Sequence, residues 1–169
     1  MRVYLIRHGE AADPAHHDRD EERPLTAPGR ARVRRSAAAW AASGEPAPEL
    51  WIVSPYVRAV QTAEIFAAVF GSEAPIAIWR GLVPDARVSE TIERVEAEAP
   101  ACVALVGHQP LMGGIAAFLL GWSRVPAQVK PGAILAIDRD DEGAGLLAWH
   151  MPPPAEGDEP RILRSPRGG

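Results

Sequence analysis

Arg7-His8-Gly9-Glu10 stands directly behind the apolar run Val3-Tyr4-Leu5-Ile6. A strand ending in Arg-His-Gly delivers a cation and an imidazole to the crevice at the carboxyl ends of parallel strands, where open α/β sheets bind their ligands. Four residues alone are a weak signal. Two further segments strengthen it. Trp51-Ile52-Val53-Ser54-Pro55-Tyr56-Val57-Arg58 reads as a second strand running into a helix with an early Arg. Val103-Ala104-Leu105-Val106-Gly107-His108 reads as a third strand ending in Gly-His. A phosphoryl group in transfer spreads its charge over three oxygens, so catalysis on it is mostly positioning and electrostatic stabilisation. Arg7 and Arg58 each offer a planar fork of N–H donors that suits those oxygens. The helix after Ser54 is expected to add its free backbone N–H groups and dipole. Arg7, Arg58, His108 and Ser54 are therefore the candidate phosphoryl-binding set, with His8 among them.

The elements that must position these residues alternate strand and helix. Short apolar runs predict strands at 2–7, 50–54, 76–79 and 102–107. The unbroken apolar character of 2–6 and 102–106 predicts burial on both faces, as in a parallel sheet. The first helix is expected over 27–43, with Thr26 as N-cap and Pro28 in its first turn. The second is expected to start from Ser54 as N-cap with Pro55 at its first position, and to run to Phe70 before Gly71. Two more are predicted at 88–98 and 110–121, and a hairpin at 132–138 and 144–150. The expected architecture is a three-layer α/β/α sandwich with a mostly parallel central sheet and a C-terminal hairpin. Residues 1–151 are read as one domain and 152–169, rich in Pro, Gly and charge, as an extended or flexible tail.

Bulk properties narrow the function classes. A net charge of −4 gives no support for nucleic-acid or anionic-membrane binding, so any anion site is a local cluster of cations. No apolar stretch reaches the roughly 18 to 20 residues of a membrane-crossing helix. No signal-peptide pattern precedes the first strand, and a cytoplasmic location is expected. Cys102 is the single cysteine, which rules out an intramolecular disulfide and reads as a small buried hydrophobe. His16-His17, in an Asp-rich loop, lacks the i, i+4 spacing of a helical zinc site and reads as solvated loop. No metal or other cofactor is expected.

Arg7-His8-Gly9-Glu10, Arg23-Pro24-Leu25-Thr26-x-x-Gly29, Ser54-Pro55-x-x-Arg58-Ala59-x-x-Thr62-Ala63 and Gly107-His108, in that order, resemble the histidine phosphatase superfamily, also called phosphoglycerate-mutase-like. The short length and the Gly81-Leu82-Val83-Pro84 turn look most like its SixA-type phosphohistidine phosphatases. The resemblance implies that His8 is the nucleophile: its neutral ring attacks phosphorus in line and forms a phosphohistidine that water hydrolyses. The ring's other nitrogen must then hold a proton. His108 has the opposite requirement, since a protonated ring binds phosphate better and stabilises developing charge. The substrate expected is phosphohistidine in a protein. A small phosphorylated metabolite is the alternative, and a non-catalytic phosphate-binding module a third reading.

Ester-cleaving members of the superfamily use a carboxylic acid from the segment after the third strand. Here Trp79-Arg80-Gly81-Leu82-Val83-Pro84-Asp85 has no Glu at that place. An imidazole leaving group is easily protonated, so a phosphohistidine substrate needs a protein acid less. The candidate carboxylates are Asp18, Asp20 and Glu21 in the loop before Arg23, and Asp85. Arg23 is expected to pair with that acidic loop, Glu10 to fix its own loop, and Gly29 to permit close packing. The five Trp residues are expected in the core or at its edge, with Trp79 or Trp122 as candidates to border the pocket.

Overall fold

A strand with apolar residues at every position has no face to offer water, and such strands belong in the middle of a sheet. The computed structural model, which describes residues 1–98, 100–122 and 129–165, places them there. All six residues of β4 (Cys102–Gly107) are buried, and β4 pairs in parallel with β1 (Arg2–Arg7) on one side and β2 (Leu50–Val53) on the other. β3 (Ile76–Ile78) lies parallel on β2 at the edge. On the far side of β1, β5 (Ile134–Arg139) and β6 (Gly145–Met151) form an antiparallel hairpin that continues the sheet. A short strand β7 (Leu163–Arg164) ends it, giving the order β3-β2-β4-β1-β5-β6-β7.

Strand side chains alternate between faces, so each central strand feeds two cores. Tyr4 and Ile6 of β1 join Trp51, Val53, Ala104, Val106 and Trp149 beneath helices α1 (Ala27–Ala41) and α2 (Val57–Phe70), which contribute Val33, Ala37, Trp40, Ala63 and Phe66. Val3 and Leu5 join Ile52, Val103 and Leu105 beneath α3 (Val88–Glu98) and α4 (Leu111–Leu119), which contribute Ile92, Val95, Met112 and Ile115. This is the expected three-layer sandwich with a C-terminal hairpin, and its sheet is mixed: β1 to β4 are parallel, and β5 to β7 extend it by antiparallel pairing. Trp40, Trp51 and Trp149 are fully buried, whereas Trp122 is exposed.

The element ends follow local chemistry. Thr26 caps α1 as expected, its Oγ1 accepting from Gly29 N at 2.9 Å. Gly29 packs as predicted, because a Cβ there would lie 2.3 Å from the carbonyl oxygen of Glu10. Gly71, in the left-handed region at φ 59°, ends α2. The start of α2 departs from expectation. Ser54 is not its cap: Pro55 and Tyr56 stay outside the helix, and Tyr56 occupies the N-cap position without a side-chain bond. The Ser54 hydroxyl is held instead by His108 across the sheet end.

The segment after Pro152 carries β7, whose Arg164 pairs with Trp149 of β6 in register and reaches Glu45 at 2.6 Å. Glu45 also receives Arg2 at 2.8 Å, so the tail is fastened to the start of β1. Arg167 and the end of the expected tail lie outside the described residues. Among the described residues, no helix is long and apolar enough to cross a membrane.

Candidate active site

Three strand ends converge because the backbone ties them together. His8 N donates to the Gly107 carbonyl at 3.0 Å, Ser54 N donates to Val106 O at 3.0 Å, and Gly132 N reaches the carbonyls of Arg7 at 3.0 Å and His8 at 2.9 Å. Gly107 is closely packed: a Cβ there would sit 2.8 Å from Met112 Cε and 3.2 Å from Leu82 O, so Met112 would have to shift to admit a side chain. Arg7, His8, Ser54, Arg58 and His108 thus meet at the carboxyl end of the parallel strands.

His8 is buried, and its Nδ1 lies 2.6 Å from the carbonyl oxygen of Gly9. A carbonyl only accepts, so Nδ1 carries the proton and Nε2 keeps its lone pair. That lone pair faces Arg58, whose Nε donates to it at 3.3 Å. Gly9 is held in turn: its N–H donates to Thr62 Oγ1 at 3.1 Å, and the same hydroxyl donates to Arg58 O at 2.7 Å. Thr62 therefore couples the loop that fixes the His8 tautomer to the helix that carries Arg58.

His108 Nε2 lies 2.7 Å from Ser54 Oγ, and its Nδ1 is buried with no partner among the described residues. Its ring centre is 4.9 Å from that of His8 and 4.7 Å from that of Tyr56. The Arg58 guanidinium lies 4.9 Å from the Tyr56 ring, so Tyr56 packs between the two groups. Arg7 donates from Nη1 to Val129 O at 2.7 Å, and its Nε is buried without a partner among the described residues.

The acidic loop reaches this cluster at one residue. Asp20, in a single 3₁₀ turn (Asp20–Glu22), accepts from Arg58 Nη2 at 2.7 Å and from Arg23 Nη1 at 2.6 Å. Its backbone carbonyl accepts from Arg58 Nη1 at 2.6 Å. Glu21 turns to Arg19, and Asp18 and Asp85, both exposed, form no ion pair among the described residues. Arg23 does pair with the loop, and its Nε also ties it to Ala12 O at 2.7 Å. Glu10 fixes its own loop through Thr26 and Arg32.

Burial, then the charges of Arg58 and Arg7, push the His8 pKa down to about 4 against the opposing bond to Gly9. Burial, then His8 and Arg58, hold His108 well below the ordinary histidine range. Both rings are neutral at neutral pH when only protein groups surround them, and a phosphoryl dianion is the group that would recharge His108. One consequence concerns stability. An unfolded histidine binds its proton near pH 6.5, so between there and about pH 4 the unfolded chain holds more protons than the native one. Stability is then expected to fall as pH drops through that window, and His8→Ala should flatten the slope. Chemical denaturation from pH 7 to 4 measures it; equal slopes in the two proteins would contradict the buried neutral ring.

The family model of the histidine phosphatase superfamily (branch 1) matches residues 3–83. Phosphohistidine phosphatase SixA of Escherichia coli is 31% identical over 156 residues, which is 90% of this chain and 94% of that protein. The chain belongs to the histidine phosphatase superfamily. An uncharacterised protein of Picosynechococcus is 39% identical over 116 residues, 67% of this chain and 69% of its own. The solved structure of the protein histidine phosphatase SixA complexed with tungstate superposes with a TM-score of 0.81 at 30% identity, covering 90% of this chain and 97% of that one. The α-ribazole phosphatase of Shigella flexneri shares the fold, with a TM-score of 0.69 at 20% identity over 98% of this chain and 96% of that one. The chain is thus a phosphatase with the SixA fold.

Reading the sequence left out Tyr56 and the coupling role of Thr62. Both lie inside the Ser54–Thr62 motif, but nothing in their spacing shows that one packs on His108 and the other binds Gly9.

Proposed function

We propose that this phosphatase works without a metal, through a phosphohistidine on His8, and that its preferred substrate is phosphohistidine in a protein. The observation that carries this reading is the His8 ring itself. Nδ1–H is committed to Gly9 O at 2.6 Å, so the nucleophilic lone pair sits on Nε2, beside Arg58 Nε at 3.3 Å. As phosphorus approaches Nε2, Arg58 Nε transfers its hydrogen bond from the ring to a phosphoryl oxygen. Arg7 Nε and His108 Nδ1, both buried and without a hydrogen-bond partner among the described residues, supply two further sites for the remaining oxygens. The relationship to phosphohistidine phosphatases supports the substrate class, as does the absence of a Glu in the 79–85 segment. Phosphohistidine protonated at its distal nitrogen departs as a neutral imidazole and needs no strong protein acid.

A small phosphorylated metabolite is the second reading, and Asp20 favours it, because the acidic loop does bring a carboxylate to the pocket. Partial burial raises the Asp20 pKa, yet hydrogen bonds from Arg23 and Arg58 outweigh that and hold it below the usual carboxylate range. A carboxylate so held is a poor acid at neutral pH, which leaves the first reading in front. Phosphate release from a phosphohistidine protein and from a panel of phosphate esters, compared by kcat/KM, decides between them. Release from the phosphohistidine protein at least ~10²-fold faster than from every ester is expected. One strongly preferred ester would transfer the assignment to metabolites.

A further inference from the structure

The two donors Nε and Nη2 lie on one edge of an arginine guanidinium, and on Arg58 that edge holds His8 Nε2 at 3.3 Å and Asp20 Oδ2 at 2.7 Å. Nucleophile and carboxylate are therefore side by side on one rigid plane. The Asp20 side chain is 52% exposed, whereas His8 is 8% exposed, so the carboxylate lies on the solvent side of the nucleophile. In-line displacement brings the attacking water to the face of phosphorus away from Nε2, and the half-exposed Asp20 is the carboxylate that stands between the buried ring and solvent. Two other bonds hold the carboxylate in place: Arg23 Nη1 takes Oδ1 at 2.6 Å, and Arg58 Nη1 takes the Asp20 carbonyl at 2.6 Å.

We infer that Asp20 is the general base that hydrolyses the phosphohistidine on His8. The inference rests on the His8 reading above and assigns the residue that completes its second step. Water oxygen attacks phosphorus as the P–Nε2 bond breaks. The bonding pair returns to Nε2, His8 keeps its Nδ1–H on the Gly9 carbonyl, and the proton lost by the water goes to a carboxylate oxygen of Asp20. Inorganic phosphate leaves, and the half-exposed carboxylic acid returns its proton to solvent. The cations facing Asp20 are Arg58 from α2 and Arg23 from its own loop, with Arg7 and the two neutral rings of His8 and His108 beyond them in the cluster. The two contacting arginines keep Asp20 ionised at neutral pH, the form a base requires.

Rapid-quench kinetics on the full chain with 4-nitrophenyl phosphate tests the assignment, since nitrophenolate departs without an acid. For Asp20→Asn, a burst of about one nitrophenolate per protein should appear at close to the wild-type rate. Steady turnover should then fall by ~10²- to 10³-fold, with phosphate trapped on His8 in alkali-quenched samples. Asp20→Glu should recover part of the second phase. If burst and steady state fall together without trapped phosphate, Asp20 only positions Arg58 and the assignment is overturned. Faster turnover with tighter vanadate binding and no trapped phosphate would overturn it too, by showing that the carboxylate merely competes for the oxyanion seat. The underlying reading is checked separately in the wild type by adding methanol. A common phospho-His8 gives one methyl phosphate to phosphate ratio from every ester. Ratios that change with the ester would bring down the His8 intermediate itself, whatever Asp20→Asn does.

Discussion

His8→Ala is expected to abolish turnover of every phosphorylated substrate, by a factor of at least about 10⁴, while the protein stays folded. The loss is large because no neighbour can take over. His108 is the other imidazole in the cluster, but with its Nδ1–H turned to the phosphoryl oxygens its ring lone pair lies on Nε2, where Ser54 Oγ engages it at 2.7 Å. The fold survives because His8 follows β1 rather than filling either core, and among the described residues its ring bonds only to Gly9 and Arg58. Removing a buried ring of depressed pKa also removes a source of acid destabilisation. The measurement is steady-state phosphate release alongside thermal unfolding at pH 7. Activity within 100-fold of wild type in a folded variant would mean that another group carries the phosphoryl transfer.

Arg58→Ala should lower kcat/KM by about 10³- to 10⁵-fold, the range associated with arginines that neutralise a phosphoryl transition state. Three effects coincide at this one side chain. Nε lies against the attacking nitrogen, Nη2 and Nη1 hold the Asp20 loop, and the plane packs on Tyr56. Arg58→Lys separates charge from geometry. An ammonium keeps the charge but cannot present two parallel donors on one edge, so His8 and Asp20 lose their common plane. The Lys variant should therefore remain at least ~10²-fold below wild type, with most of the loss in kcat. A Lys variant near wild-type activity would show that charge alone suffices, and that the shared edge has no part in the chemistry.

Much of the fold was legible in the sequence, and for definite reasons. Val3–Ile6 of β1 and the whole of β4 are unbroken apolar runs, as a doubly covered strand requires, and they lie adjacent at the sheet centre. Thr26 and Gly71 are strong local punctuation, and α1 begins and α2 ends where they stand. The start of α2 was not legible. Ser-Pro is a good local start signal, and it lost to a bond between Ser54 and His108, 54 residues away. β7 was equally hidden, because two residues in a tail rich in Pro and charge carry no periodicity. Its pairing depends on β6 being in place and on Glu45 accepting both Arg2 and Arg164.

The site divides in the same way. Arg7, His8, Arg58 and His108 were readable because each closes, follows or opens an element whose pattern is local, and a parallel sheet gathers its carboxyl strand ends and the helix starts that follow them at one rim. The sequence by itself determined that two imidazoles and two guanidiniums would meet there. Only the tertiary structure decided which of Asp18, Asp20, Glu21 and Asp85 joins them, since a loop's approach to a cation depends on contacts distant in the chain. It also decided the protonation of the two rings, because burial and the fields of neighbouring arginines come from packing and not from spacing.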